Sequence, residues 1–232
     1  SDFWPTVVGG IRKYAKDEKQ KDLYVYGEIL DDPQIAISAY TQYMSVTDNG
    51  WGNHMRTLVS SGTAALAQGF YKSAPASNLV IWAESHDTFG DGSSVNSNAY
   101  VLFQAWALVA SRAYAMSLYF PRANDMLYQE MGQIAKNGWS SEAVKAVNKF
   151  HNHFIGQGEW LTKDNTANMY YNERGNSGVM IVNFSGGGRD INLPVYAMAN
   201  GTYYDQITGN KFTVNGGRIY GAMGDTGVAC VY

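Results

Sequence analysis

The chain has 232 residues, 45% of them hydrophobic and 16% charged, enough to bury a sizeable core in one or two domains. A net charge of −3 gives no basic footprint for nucleic acid, and no apolar run approaches the ~18 residues of a membrane span. The single cysteine, Cys230, excludes an internal disulfide framework and paired-cysteine metal chemistry.

The first stretch, "SDFWPTVVGG", shows no secretory leader and reads as the continuation of something longer. "VVGGIRKYAKDE" predicts a helix and "DLYVYGEI" a short strand. "PQIAISAYTQ" predicts a second helix, with Pro33 at its first position. "YMSVTD" reads as a strand. "HMRTLVSSGTAALAQGF" carries Ala and Leu at helical spacing. "LVIWAES" and "AMSLYF" read as strands, with the apolar helix "AYVLFQAWALVASRA" between them. "SSEAVKAVNKFHNHFI" predicts a helix opened by serine and glutamate. Strands alternating with helices argue for parallel βαβ units over residues 1–160. After residue 160 the texture changes. "NMYYNERGNSGVMIVNFS" reads as two strands joined by a Gly/Asn turn, and short strands continue to the end, so residues 161–232 form an antiparallel β-domain.

Two of the α/β strands end in ionisable groups: "YVYGE" in Glu28, and "LVIWAESHD" in Glu84, His86 and Asp87. They stand about two βα units apart, at roughly 30 residues each, so both fall on the C-terminal edge of a parallel sheet. That edge is where such folds place their chemistry. Two converging carboxylates suit acid/base or nucleophilic work, as in glycoside hydrolysis. Spacing alone leaves other readings open. Glu28 could cap a helix or pair with a lysine. Glu84, His86 and Asp87 could hold a divalent ion. His86 could be a hydrogen-bonded core residue.

"YGEIL" (26–30) and "WAESHDTF" (82–89) resemble two signature segments of the α-amylase family of glycoside hydrolases (family 13), those ending the fifth and seventh barrel strands. "DFWPTVVGGI", "YFPRA" (119–123), "AVNKFHN" (146–152) and "NERGNSGVMIVNFS" (172–185) look like further stretches of secreted bacterial α-amylases, in the same order. The resemblance implies the C-terminal half of a (β/α)8 TIM barrel followed by an antiparallel β-sandwich. It implies endo-hydrolysis of α-1,4-glucosidic bonds in starch or malto-oligosaccharides with retention, outside the cell. Carried over position by position, it makes Glu28 the general acid/base and Asp87 the transition-state stabiliser, with His86 bonded to the same glucose. A general acid needs a raised pKa, which aromatic surroundings and nearby carboxylates would supply.

The family's nucleophile, an Asp ending the fourth strand, would lie upstream of "SDFWP", in the N-terminal half of the barrel. The isolated chain is therefore expected to be inactive and to need that half as its partner. Asp2 and Asp31 have no motif to recommend them as replacements. The family's calcium site is expected to draw mainly on the same upstream part, with no metal ligand in this chain. Trp51, in "DNGWGN", and Trp139, in "KNGWSS", sit among Gly and Asn as loop tryptophans able to stack on glucose; Asp91 is a candidate for a distal subsite. Two alternatives remain open. One is a non-catalytic glucan-binding protein, using the high aromatic content of 14%; the other is an α-glucan transglycosylase.

Overall fold

The computed structural model describes residues 2–30, 32–64, 69–122 and 138–232. Helix α1 (Phe3–Lys19) ends where Gln20 turns left-handed and its N–H reaches Lys16 O, with Lys16 and Lys19 against the negative end of the helix dipole. Strand β1 (Tyr26–Gly27) follows. The ten-residue helix expected from Pro33 does not form; only α2 (Ser38–Thr41) is helical. The Asp32 carboxylate accepts the Gln34 N–H at 2.8 Å, and the Ile35 N–H bonds Asp32 O at 2.9 Å. This local turn captures the donors that a first helical turn would have left free.

Strand β2 (Ser45–Thr47) leads into α3 (Asn49–Ser61), capped by Asp48, whose carboxylate accepts the Trp51 N–H. The helix stops at Gly62, φ 65°, well short of the expected Phe70; residues 65–68 of that expectation lie outside the described residues. Strand β3 (Leu79–Ile81) is followed by the short α4 (His86–Gly90) and by α5 (Ala99–Ser111). Strand β4 (Met116–Ser117) and α6 (Glu142–His153) complete the first region. The four strands form one parallel sheet in the order β1-β2-β3-β4, with Tyr26 opposite Ser45, Val46 opposite Leu79 and Val80 opposite Met116.

Eight antiparallel strands make the second region: β5 (Glu159–Asp164), β6 (Met169–Arg174), β7 (Gly178–Asn183), β8 (Asp190–Pro194), β9 (Gly201–Tyr204), β10 (Lys211–Asn215), β11 (Arg218–Ala222) and β12 (Val228–Val231). They pair as two sheets, β12-β7-β6-β5 and β8-β11-β10-β9. The boundary drawn at residue 160 falls inside β5.

The inner sheet is buried on both sides, which is why β6 and β7 are buried at every position. Strand alternation divides their side chains between two cores. Tyr170, Met180, Val182 and Cys230 join Leu108, Val147, Phe150 and Phe154 of the helical layer. Met169, Tyr171, Val179, Ile181 and Val231 face the second sheet and pack with Leu193, Phe212 and Ile219. Gly178 is required at the first of these contacts, because a Cβ there would lie 2.1 Å from the Phe154 ring.

Polar groups fix the same interface. Glu159 pairs with Arg112 at 3.0 Å, accepts the Ala113 N–H at 2.7 Å and the Asn172 amide at 2.9 Å. The Arg174 guanidinium donates to Ser111 O, Arg112 O and Phe154 O, the terminal carbonyls of α5 and α6, where a cation also complements two helix dipoles.

Candidate active site

Because the first sheet is parallel, the residues following its strands share one edge: Glu28 after β1, Asp48 after β2, Trp82 to Asp87 after β3, and Leu118 to Arg122 after β4. A cleft of about 210 Å³ opens there, lined by Tyr26, Glu28, Thr47, Trp82, His86, Asp87, Tyr119 and Phe120 among others. It is smaller than the usual ~300–1,000 Å³ of ligand pockets.

Glu28 is exposed and accepts a hydrogen bond from the Asn49 amide. The desolvation expected around it is therefore not supplied by the described residues. His86 and Asp87 open the one-turn α4, whose start is fixed by a reciprocal cap: Thr88 N–H to Ser85 Oγ, and Ser85 N–H to Thr88 Oγ1. The cap turns both side chains outward, 83% and 60% exposed, with His86 Nε2 3.3 Å from Asp87 Oδ1.

Glu84 behaves differently from its neighbours. It is 5% exposed, receives Arg122 at 2.6 Å and accepts the Ser94 hydroxyl at 2.6 Å. Arg122 also donates to Ser94 O and Val95 O and lies over the Phe89 ring at 5.1 Å. This pair welds the segment after β4 to the loop after α4, so Glu84 holds the rim together and is not available as an ion ligand. Among the described residues, no group of three or more His, Cys, Asp and Glu converges. Tyr119, lining the cleft, has its hydroxyl pKa pushed well up by burial and by the Glu84 charge, so it stays a neutral donor.

Trp51 is a correction. It is fully buried in the first turn of α3, edge-on to Phe70 at 5.2 Å, and cannot stack on a ligand. The "NG" that suggested an exposed loop is instead the first turn of a helix, capped by Asp48 and pressed so close to β3 that a Cβ on Gly52 would meet Trp82 O at 2.3 Å. Asp91 is exposed just past α4 and does not line the cleft; hydrogen bonds from Ser93, backbone first, hold its pKa below the usual carboxylate value. Trp139 is exposed in the turn before α6, also away from the cleft lining.

Sequence reasoning gave no role to two buried groups. Asp48 is fully buried, with its carboxylate also accepting the N–H groups of Tyr71 and Lys72. Arg122 sat in the quoted "YFPRA" without an assigned partner. An Asp just before a helical pattern is a capping signal that could have found the first; no local signal pairs Arg122 with Glu84, 38 residues away.

No protein-family model matches the chain. Among curated proteins it is similar along its whole length to an α-amylase of Clostridium acetobutylicum, at 30% identity, and over 97% of its length to one of Butyrivibrio fibrisolvens, at 26%. It spans only 29% and 26% of those two proteins, matching a C-terminal portion. Among solved structures, α-amylase I of Eisenia fetida superposes with a TM-score of 0.65 at 17% identity, over 90% of this chain and 54% of that one. A variant of that enzyme, in complex with maltohexaose, superposes equally well. An Anoxybacillus α-amylase gives 0.65 at 13% identity, over 97% of this chain and 55% of its own. The resemblance to the α-amylase family holds along the chain, and the expected fold, the C-terminal half of a (β/α)8 barrel followed by an antiparallel β-sandwich, is borne out.

Proposed function

We propose that the chain forms the acid/base side of a retaining α-glucan hydrolase that cleaves α-1,4 bonds within starch and malto-oligosaccharides. One observation carries this reading: exposed Glu28 and the exposed His86–Asp87 pair line the same cleft at the C-terminal edge of the parallel sheet, while the third acid, Glu84, is locked into the rim. Glu28 would protonate the glycosidic oxygen and later activate water. Asp87 would face the positive charge that develops at the anomeric carbon, with His86 beside it to bond a sugar hydroxyl. Tyr26, Trp82, Tyr119 and Phe120 supply apolar surface for the sugar rings.

A retaining mechanism also needs a nucleophile about 5 Å from the acid/base. We assign it to the N-terminal half of the barrel, the part of the relatives that this chain does not span. That half would close the open edges of β1 and β4, remove water from around Glu28, and bring the family's calcium. A polymeric substrate places the work outside the cell; no described helix is long and apolar enough to cross a membrane.

The test is reducing-end release from soluble starch by this chain, alone and mixed with a separately produced upstream half. Activity is expected only in the mixture, and Glu28→Gln should lower it by about 10²–10⁴. Assembly without activity would overturn the catalytic reading in favour of glucan binding alone. Cleavage by the chain alone would overturn the assignment of the nucleophile.

A further inference from the structure

Glu28 is tethered at two points by the chain that follows β2. Strands β1 and β2 are neighbours, with Gly27 opposite Val46, so Glu28 and Thr47 leave the sheet side by side and Asn49 opens α3 two residues later. The Asn49 amide donates through Nδ2 to Glu28 Oε1. One residue along from Glu28, Ile29 O accepts Lys72 Nζ at 2.6 Å. Both tethers hang on buried Asp48, whose carboxylate takes the N–H groups of Trp51, Tyr71 and Lys72. The donor to Glu28 therefore sits on a fixed piece of backbone, although Glu28 itself is exposed.

Asn49 Oδ1 is buried and, among the described residues, has no hydrogen-bond partner. Glu28 thus decides which way this amide faces, and an ionised carboxylate, which only accepts, selects the N–H side. A donor at Oε1 also sorts the two carboxyl oxygens. A proton on Oε1 would face the Asn49 N–H, so the proton of the acid form belongs on Oε2, the oxygen that Asn49 leaves free. An acid that gives its proton to a departing oxygen, and later takes one from water, gains from having a single, oriented oxygen do both.

We propose that Asn49 is a positioning residue for Glu28, fixing the carboxyl group through Oε1 and reserving Oε2 for the proton that is transferred. The catalytic role of Glu28 rests on the function proposed above; the tether itself does not depend on it.

Asn49→Ala and Asn49→Asp, each mixed with the upstream half, test the role. Aspartate has nearly the shape of asparagine and suits the first turn of a helix, so it keeps the fold while replacing the donor by a like charge. For a malto-oligosaccharide, kcat/KM should fall about ten- to a hundredfold, the worth of one hydrogen bond to a charged group, and further for Asp than for Ala. For maltosyl fluoride, whose leaving group departs without a proton, it should fall by no more than about threefold. Equal losses on both substrates would make Asn49 structural only, and full activity on both would remove it. In either case, a Glu28→Gln variant that still loses the oligosaccharide reaction leaves the acid/base assignment standing. An intact reaction in Glu28→Gln would overturn that assignment, and the role of Asn49 with it. If the mixture is inactive, the chain alone still decides the tether. The Asn49 side-chain amide resonances should shift as acid protonates Glu28, and should stay in place in Glu28→Gln. Resonances indifferent to Glu28 would overturn the proposal.

Discussion

The barrel half and the β-sandwich are built on opposite economies of burial. The sandwich closes on itself: each inner side chain of β6 and β7 meets either the second sheet or the helical layer, and its large exposed apolar side chains, Trp160, Tyr196, Tyr204 and Tyr220, are all aromatics with polar atoms. The barrel half has strands of only two or three residues and, among the described residues, two unpaired sheet edges. Every large exposed aliphatic side chain among the described residues, from Val7 to Ile155, precedes β5. On α1 alone, Phe3, Val7, Ile11 and Tyr14 fall at helical spacing on one exposed stripe. One region carries its own complement, and the other presents surface that a partner would cover. The sandwich therefore supports the barrel half from below, through α5 and α6, while the sheet edge that bears Glu28 and Asp87 stays open.

The sharpest way to break that support is Phe150→Ala. Phe150 is fully buried among α6, Phe154 and Tyr232, and its truncation should cost about 3–5 kcal/mol. If the sandwich and the barrel half share one core, circular dichroism and tryptophan fluorescence will report one lowered melting transition. Two separated transitions would show that the sandwich holds independently.

Glu159 gives an intermediate effect with a defined pH dependence. Burial would raise its pKa, but the Arg112 hydrogen bond and charge, with the Ala113 N–H and the Asn172 amide, bring it below its ordinary 4.5. A carboxylate depressed on folding contributes stability above its unfolded pKa and loses it as pH falls through the folded value. Urea midpoints should therefore drop below about pH 4.5 more steeply in the native chain than in Glu159→Gln. Parallel acid limbs in the two proteins would remove Glu159 from the interface account.

The smallest effect is expected on the open face. Ile11→Lys should change the melting free energy by no more than about 0.5 kcal/mol, since the side chain is already in water. It should nonetheless reduce self-association in sedimentation or impair mixing with the upstream half. A large loss of stability would mean that the α1 stripe is packed within this chain.

Much was legible before any coordinates. Apolar runs ending in Glu28 and in His86–Asp87, the helical periods of α1, α3, α5 and α6, and the Gly/Asn turn between β6 and β7 are all local patterns, and local patterns fix element type and which strand end bears an acid. What the sequence could not fix depends on groups far apart in the chain. Whether Trp51 points to water or to Phe70, whether Glu84 is free or taken by Arg122, and whether β6 faces one core or two are decided only when distant elements pack. The length of α2 lay between these cases, because the Asp32 side chain outbid the helix for the Gln34 N–H. Sequence by itself thus determined where the carboxylates sit along the strands. Tertiary structure decided which of them remain exposed to act, because a charge is spent or left free according to the partners that folding brings to it.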